Sequence, residues 1–359
     1  MTTPVRRWPL RALDRLRAIG QAGGTGRAGA GAVPRAEARE EPARRLPAGL
    51  WAVFLKELGD HVTSWRFIIL TGLVAVAGLA ATYVASLTIR GAVAGSGTPD
   101  FVFLRLFTAS DGRLPPFTAF VGFLAPLFGL ALGFDAISGE FNRRTLSRLL
   151  AQPIHRDAVI HGKFLAGVAT VGAMLLALWL VVAGLGLSMI GVPPTGEEVL
   201  RLLIFLAVTV VYVAFWLALA ILFSIVFRQS ATSALAGIAV WLFFAVFGSL
   251  LAGLVADSLV PMPQDAPAEV VLRHEQVRQA LGRLSPVTLY DEAVVTLLTP
   301  SVRTLGPVLL EQVVGAIQGN LPLGQSVLLI WPHLTGLVAA TMICFALSYV
   351  LFMRREIRA

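Results

Sequence analysis

Residues 134–163 read FDAISGEFNRRTLSRLLAQPIHRDAVIHGK, a polar stretch held between two apolar runs, 117–133 and 164–190. It carries Arg143, Arg144, Arg148, Arg156 and Lys163 against Asp135, Glu140 and Asp157. An apolar run of about 17 residues or more can cross a bilayer as a helix, so a short basic connection between two such runs is expected on the cytoplasmic side. Asp135 stands near the start, and Glu140, Arg143, Arg144 and Ser147 follow at three- and four-residue steps. That spacing predicts a short helix over 138–152 across the inner membrane surface, with Leu146, Leu149 and Leu150 on another face. Pro153 ends it, and Arg156-Asp157 starts the next helix.

The rest of the chain fits a frame of such spans. Of its 359 residues 56% are hydrophobic and 14% charged, where soluble domains hold about 25% charged residues. Spans are predicted at 67–87, 117–137, 164–190, 202–227, 231–255 and 327–353. Backbone amides in hydrocarbon must be satisfied within each segment, and no series of short alternating strands suggests a barrel. The fold class is therefore all-α, a polytopic integral membrane protein with six transmembrane helices. The net charge of +8 does not imply nucleic acid, because the arginines crowd the amino-terminal tail and the inner connections without a basic, aromatic-studded stripe. A lone cysteine, Cys344, excludes an intrachain disulfide or a Cys-based metal site. His61, His155, His161, His274 and His333 have no metal-ligand spacing, so no metal is expected.

Residues 1–48 are rich in Arg, Ala, Gly and Pro without apolar periodicity and read as a disordered cytoplasmic tail. No apolar run precedes Phe67, so the opening does not read as a cleaved leader. Residues 49–66 place Leu50, Phe54, Leu58 and Val62 at steps of four, with Lys56, Glu57 and Asp60 on other faces. This predicts an amphipathic elbow helix in the cytoplasmic interface, Trp51 and Trp65 at headgroup depth, or else a cytosolic extension of the first span. The patch 101–107 is too short to cross and either dips into the outer interface or packs on other helices. Gly129 and Gly133, four apart, allow close helix approach, inside the bundle or at a dimer face. Pro193-Pro194 ends the third span in a hairpin. Residues 257–326 hold seven acids against four arginines and read as a small external helical subdomain, with helices from Ser285-Pro286 to Thr299-Pro300 and over 305–317. With both termini inside, inner segments carry 21 Lys plus Arg and outer ones 8, which supports that orientation.

On these residues the chain resembles the type-2 ABC transporter permeases, including the branch that serves nitrous-oxide-reductase maturation. The family pattern is an F-D-x-I-x-x-E entry, a Thr-Leu pair, two Leu, a Pro, a basic residue and a Gly-Lys into the next span. Phe134, Asp135, Ile137, Glu140, Thr145, Leu146, Leu149, Leu150, Pro153, Arg156, Gly162 and Lys163 fill those places. One position departs: the family usually has Gly before the Thr-Leu pair, and Arg144 stands here. The resemblance, over roughly residues 50–359, implies that 138–152 is the coupling helix. It would dock on a cytoplasmic ATPase through Asp135, Glu140, Arg143, Arg144, Thr145, Leu146, Leu149, Leu150, Pro153 and Arg156. It also implies that the first, second and fifth spans border a dimer axis, with Phe243, Phe244 and Phe247 along an apolar pathway.

No Gly-rich loop with Lys-Ser/Thr follows a strand, so the chain has no phosphate cradle of its own and is not expected to be an enzyme. The resemblance therefore implies no cofactor here and ATP-Mg in the partner ATPase. Ionisable residues are almost absent from the predicted span interiors, against an ion-coupled carrier. The expected function is the permease subunit of an ABC exporter in the inner (plasma) membrane, as a homodimer or paired with a similar permease. The alternative is a membrane-anchored scaffold acting through 257–326.

Overall fold

The computed structural model describes residues 46–96, 101–112, 114–145, 154–263, 265–301 and 319–354. The tail over 1–45, the half of the expected docking helix holding Leu146, Leu149, Leu150 and Pro153, the expected helix over 305–317, and Arg355 and Arg358 lie outside the described residues.

Among the described residues every regular element is a helix. The elbow helix α1 (Leu46–Val62) stops at Thr63-Ser64, where the Ser64 hydroxyl accepts from the Phe67 amide and starts the first span, α2 (Trp65–Ser96). A short helix α3 (Val102–Thr108) follows, then α4 (Phe117–Gly133) and α5 (Ser138–Asn142). Two long helices come next, α6 (Arg156–Ile190) and α7 (Gly196–Val226). The fifth span is α8 (Ser230–Leu242), a π-helical turn at Phe243–Phe247, and α9 (Gly248–Leu259). Then come α10 (Ala268–Gly282), α11 (Pro286–Leu298) and the last span, α12 (Leu323–Arg354). Six of these segments are long and apolar enough to cross a membrane.

The centre of the bundle is α7, which packs against α4, α6, α8, α11 and α12 and holds Tyr212 and Trp216 with no exposure. Its approach to α4 is through two glycines. A Cβ on Gly129 would lie 2.8 Å from the Leu217 amide nitrogen and from the Val213 carbonyl oxygen, and one on Gly133 would lie 2.6 Å from Ala220. Both glycines therefore face α7 within the chain. The fifth span is the least enclosed: 11% of its most apolar stretch is buried, against 61% for α7.

Some helices begin earlier than the apolar runs suggest. α7 starts at Gly196 rather than 202 because Thr195 and Glu198 form a capping box: the Thr195 hydroxyl accepts from the Glu198 amide, and the Glu198 carboxylate accepts from the Thr195 amide at 2.8 Å. The other oxygen of Glu198 accepts from the Phe103 amide at 2.8 Å, which fixes the start of α3. The patch at 101–107 thus packs on the other helices, with Leu106 and Phe107 fully buried. Three residues on, Arg201 is also fully buried; it pairs with Glu197 and donates to the Leu297 carbonyl at 2.8 Å, to the Leu321 carbonyl at 2.5 Å and to Ser326.

Within the segment expected to form an external subdomain, α11 presents Tyr290, Ala293, Val294 and Leu297 to the bundle. The Tyr290 ring stacks on Tyr212 at 4.2 Å and its hydroxyl meets Thr209 at 3.1 Å. Helical spacing of apolar residues gave α11 a face, and the bundle buries it. α10 instead rests on α9, where buried His274 meets Asp257 at 2.8 Å.

Candidate functional site

The segment that leaves α4 is fixed to the bundle before it turns. The Ser224 hydroxyl of α7 accepts from the amides of Ile137 at 2.9 Å and Ser138 at 3.0 Å, satisfying donors at the start of α5 that no earlier turn could take. Ser138 in turn meets Ser230, at the start of the fifth span, at 3.0 Å.

α5 is one turn long and ends in a Schellman motif. The Thr145 amide donates to the Glu140 carbonyl at 3.0 Å and the Arg144 amide to the Phe141 carbonyl at 3.1 Å. The motif needs a left-handed residue at the turn, and Arg144 supplies it with φ 56°. The expected continuous helix over 138–152 is therefore broken at 143–145. Arg143 and Arg144 stand exposed on this corner, while the Thr145 hydroxyl folds back onto the Glu140 carboxylate.

Two acids of the segment, Asp135 and Glu140, point inward, to this chain's own cations. Asp135 accepts from Arg66 at 2.8 Å, and that guanidinium also lies 4.6 Å from the centre of the Phe134 ring. Glu140 lies 3.6 Å from Lys163 and 3.8 Å from Lys56. Those two lysines are held more tightly by Glu57, at 2.7 and 2.8 Å. Lys163 is 4% exposed and Glu57 7%, so each charge depends on the other to replace lost hydration. Burial pushes the Glu57 carboxyl up, but the Lys163 ammonium, joined by Lys56, outweighs this and holds it below its ordinary value. Burial also lowers Lys56, and Glu57 and Asp60 more than reverse that, raising it. His61 is lowered, first by burial. These groups line an open cleft of about 480 Å³ between α1, α4 and α5.

The elbow helix reaches this cluster by a face the step-of-four pattern did not indicate. Among its described side chains Val53 and Glu57, one turn apart, are the buried ones, whereas Val62 is half exposed. Gly162 makes the approach possible: a Cβ there would lie 2.8 Å from a Val53 methyl. Lys163, the next residue of α6, then meets Glu57. The signal was present in the Gly162-Lys163 pair and in the i, i+4 pair Val53/Glu57, but nothing in one sequence joins positions 106 residues apart.

Of the predicted docking residues, Asp135, Glu140, Arg143, Arg144 and Thr145 are thus brought together, and Arg156 opens α6. Among the described residues no group of three or more His, Cys, Asp or Glu could hold a metal ion.

A family model described as "ABC-2 family transporter protein" matches residues 51–357. The chain is also 33% identical over 150 residues to the "Probable ABC transporter permease protein NosY" of Stutzerimonas stutzeri, a match that covers 39% of this chain and 49% of that protein. The chain thus spans about half the length of this curated relative.

Proposed function

This chain belongs to the ABC-2 transporter family and is a permease subunit, and from that premise we propose that it couples ATP hydrolysis by a separate cytoplasmic ATPase to export of a substrate. The observation that carries the proposal is the corner at Phe141–Thr145. The segment that leads into it is held at Ile137 by Ser224, at Asp135 by Arg66 and at Glu140 by Lys163, and the corner itself carries two exposed arginines. A rigid, outward, cationic corner can receive a push from an acidic recess on a partner; a solvated connector would need none of these anchors. The termini face the cytoplasm of the plasma membrane in this reading, which accords with the Lys and Arg asymmetry. ATP and Mg²⁺ are bound by the partner, and this chain acts as a non-catalytic subunit that dimerises with a copy of itself or a similar permease.

The test is to tag the chain in its native cell, extract it in mild detergent, and identify what co-purifies with wild type and with Arg143→Glu/Arg144→Glu. A soluble ATPase held by wild type and lost from the double variant is the expected result. Capture of an external protein with no ATPase would overturn the coupling and leave the scaffold through 257–326.

A further inference from the structure

The outward arginines can dock a partner, but docking alone does not move a membrane span. Besides the Ser224 and Ser230 hydroxyls on α7 and the fifth span, two charged groups connect the corner to the bundle. Asp135 and Glu140 reach it by different routes: Asp135 binds Arg66 at the α1–α2 junction, where half of the arginine side chain is in solvent. Glu140 instead meets Lys163, a buried cation on the first turns of a spanning helix, already committed to Glu57 on the elbow.

We propose that Lys163 is the relay between the docking corner, the elbow helix and the third span, and that Glu57 is the residue that positions it. Three elements meet at this one ammonium: α5 through Glu140, α1 through Glu57 and α6 through its own backbone. The two contacts differ in kind. The 2.7 Å bond to Glu57 is a short charge-assisted hydrogen bond, while 3.6 Å to Glu140 is an electrostatic contact beyond a normal hydrogen-bond distance. Glu57 therefore fixes the ammonium, and Glu140 is the contact through which α5 bears on it. Lys56, half exposed, lies 3.8 Å from Glu140 and is shared with Glu57 at 2.8 Å and Asp60 at 3.1 Å, so it only partly balances the second negative charge. The close seat of Val53 on Gly162 keeps α1 and α6 from separating when the pair is loaded. A displacement of α5 would then move the elbow and the third span as one body.

This inference rests on the reading of Phe141–Thr145 as the ATPase-docking corner, and the experiment separates the two. Glu57→Gln alone leaves the buried Lys163 ammonium with only the 3.6 Å contact to Glu140, and Lys163→Met alone leaves Glu57 with only the half-exposed Lys56, so each destabilises the chain whatever its role. Glu57→Gln/Lys163→Met strands none, so it should recover the wild-type unfolding midpoint and still co-purify the ATPase. If Lys163 is the relay, the ATP hydrolysis that the permease adds to the isolated ATPase stays down by about tenfold or more in that double variant. Lys163→Arg, which keeps the charge, restores most of it. Recovery of stimulated hydrolysis together with stability would show an ordinary structural ion pair and overturn the relay. Wild type that holds no ATPase would remove the docking reading, and the relay with it. Should the double variant not reach the membrane, spin labels at Trp51→Cys and Asn142→Cys in a Cys344→Ser chain decide. One label distance, the same in nucleotide-free and nucleotide-trapped complexes, is expected; a distance that changes with nucleotide overturns the relay.

Discussion

The left-handed backbone at Arg144 is a conformation that glycine adopts without strain, and glycine is the residue the family resemblance leads one to expect before the Thr-Leu pair. A side chain in that region is strained by about 1–2 kcal/mol, part of which glycine gives back as chain entropy. Arg144→Gly should therefore stabilise the purified protein slightly, by up to about 1 kcal/mol, seen as a small rise in unfolding temperature. The same change removes an exposed cation, so association with the ATPase should weaken. Arg144→Asn, which also tolerates the left-handed region, should weaken it equally; full association in both variants would mean the guanidinium contributes only geometry. Glu57 makes a second prediction. Its folded carboxyl sits below the ordinary value of 4.5, so it contributes stability that is complete above that value and lost as pH falls through the folded pKa. A spin label at position 51 should gain mobility on acidification below about pH 4.5, with the step absent in Glu57→Gln.

At the scale of elements, α4 against α7 is the least adjustable contact. A methyl group on Gly129 would meet backbone atoms of α7 rather than a side chain that can swing away. Gly129→Ala should cost about 1–3 kcal/mol or more, measured as a lower unfolding midpoint and less protein in the membrane fraction. Gly172→Ala on α6, whose nearest neighbour would be at 3.7 Å, is the matched control and should change little. The spans themselves were legible because each is a long apolar run: α4 was placed at its observed start, and α6 ends at Ile190 as read. Helix starts were less so. The Thr195–Glu198 box is written in the sequence, but Pro193-Pro194 drew the reading to a hairpin. By placing span starts at 164 and 202, the hydropathy pattern left Lys163 and Arg201 just outside, whereas both lie within the helices. The segment around the corner at Phe141–Thr145 was legible as a motif, and its Arg144 departure was visible. That its acids turn inward was not, because Arg66, Lys56 and Lys163 reach them from distant positions.

For the molecule as a whole, the fifth span is the surface left to be covered. Phe243 and Phe247, on its π-helical turn, are 46% and 50% exposed, and Leu235 is 69% exposed. If this face meets its like in a homodimer, a single cysteine at Leu235 or Phe247 in a Cys344→Ser chain should give a disulfide-linked dimer on mild oxidation in native membranes. Cross-linking to a different permease instead would identify a heterodimer. Arg201 bears on how the molecule is made. Its carbonyl partners at Leu297 and Leu321 come 96 and 120 residues later in the chain. At a synthesis rate of about 5–20 residues per second, the guanidinium emerges about 6–24 s before its last carbonyl partner exists. During that interval its fourth span is in the translocon with Glu197 as the nearby counter-charge and the other donors unsatisfied. A chain that stops before residue 321 therefore leaves a fourth span whose end carries an arginine paired with Glu197 but without its carbonyl acceptor at Leu321.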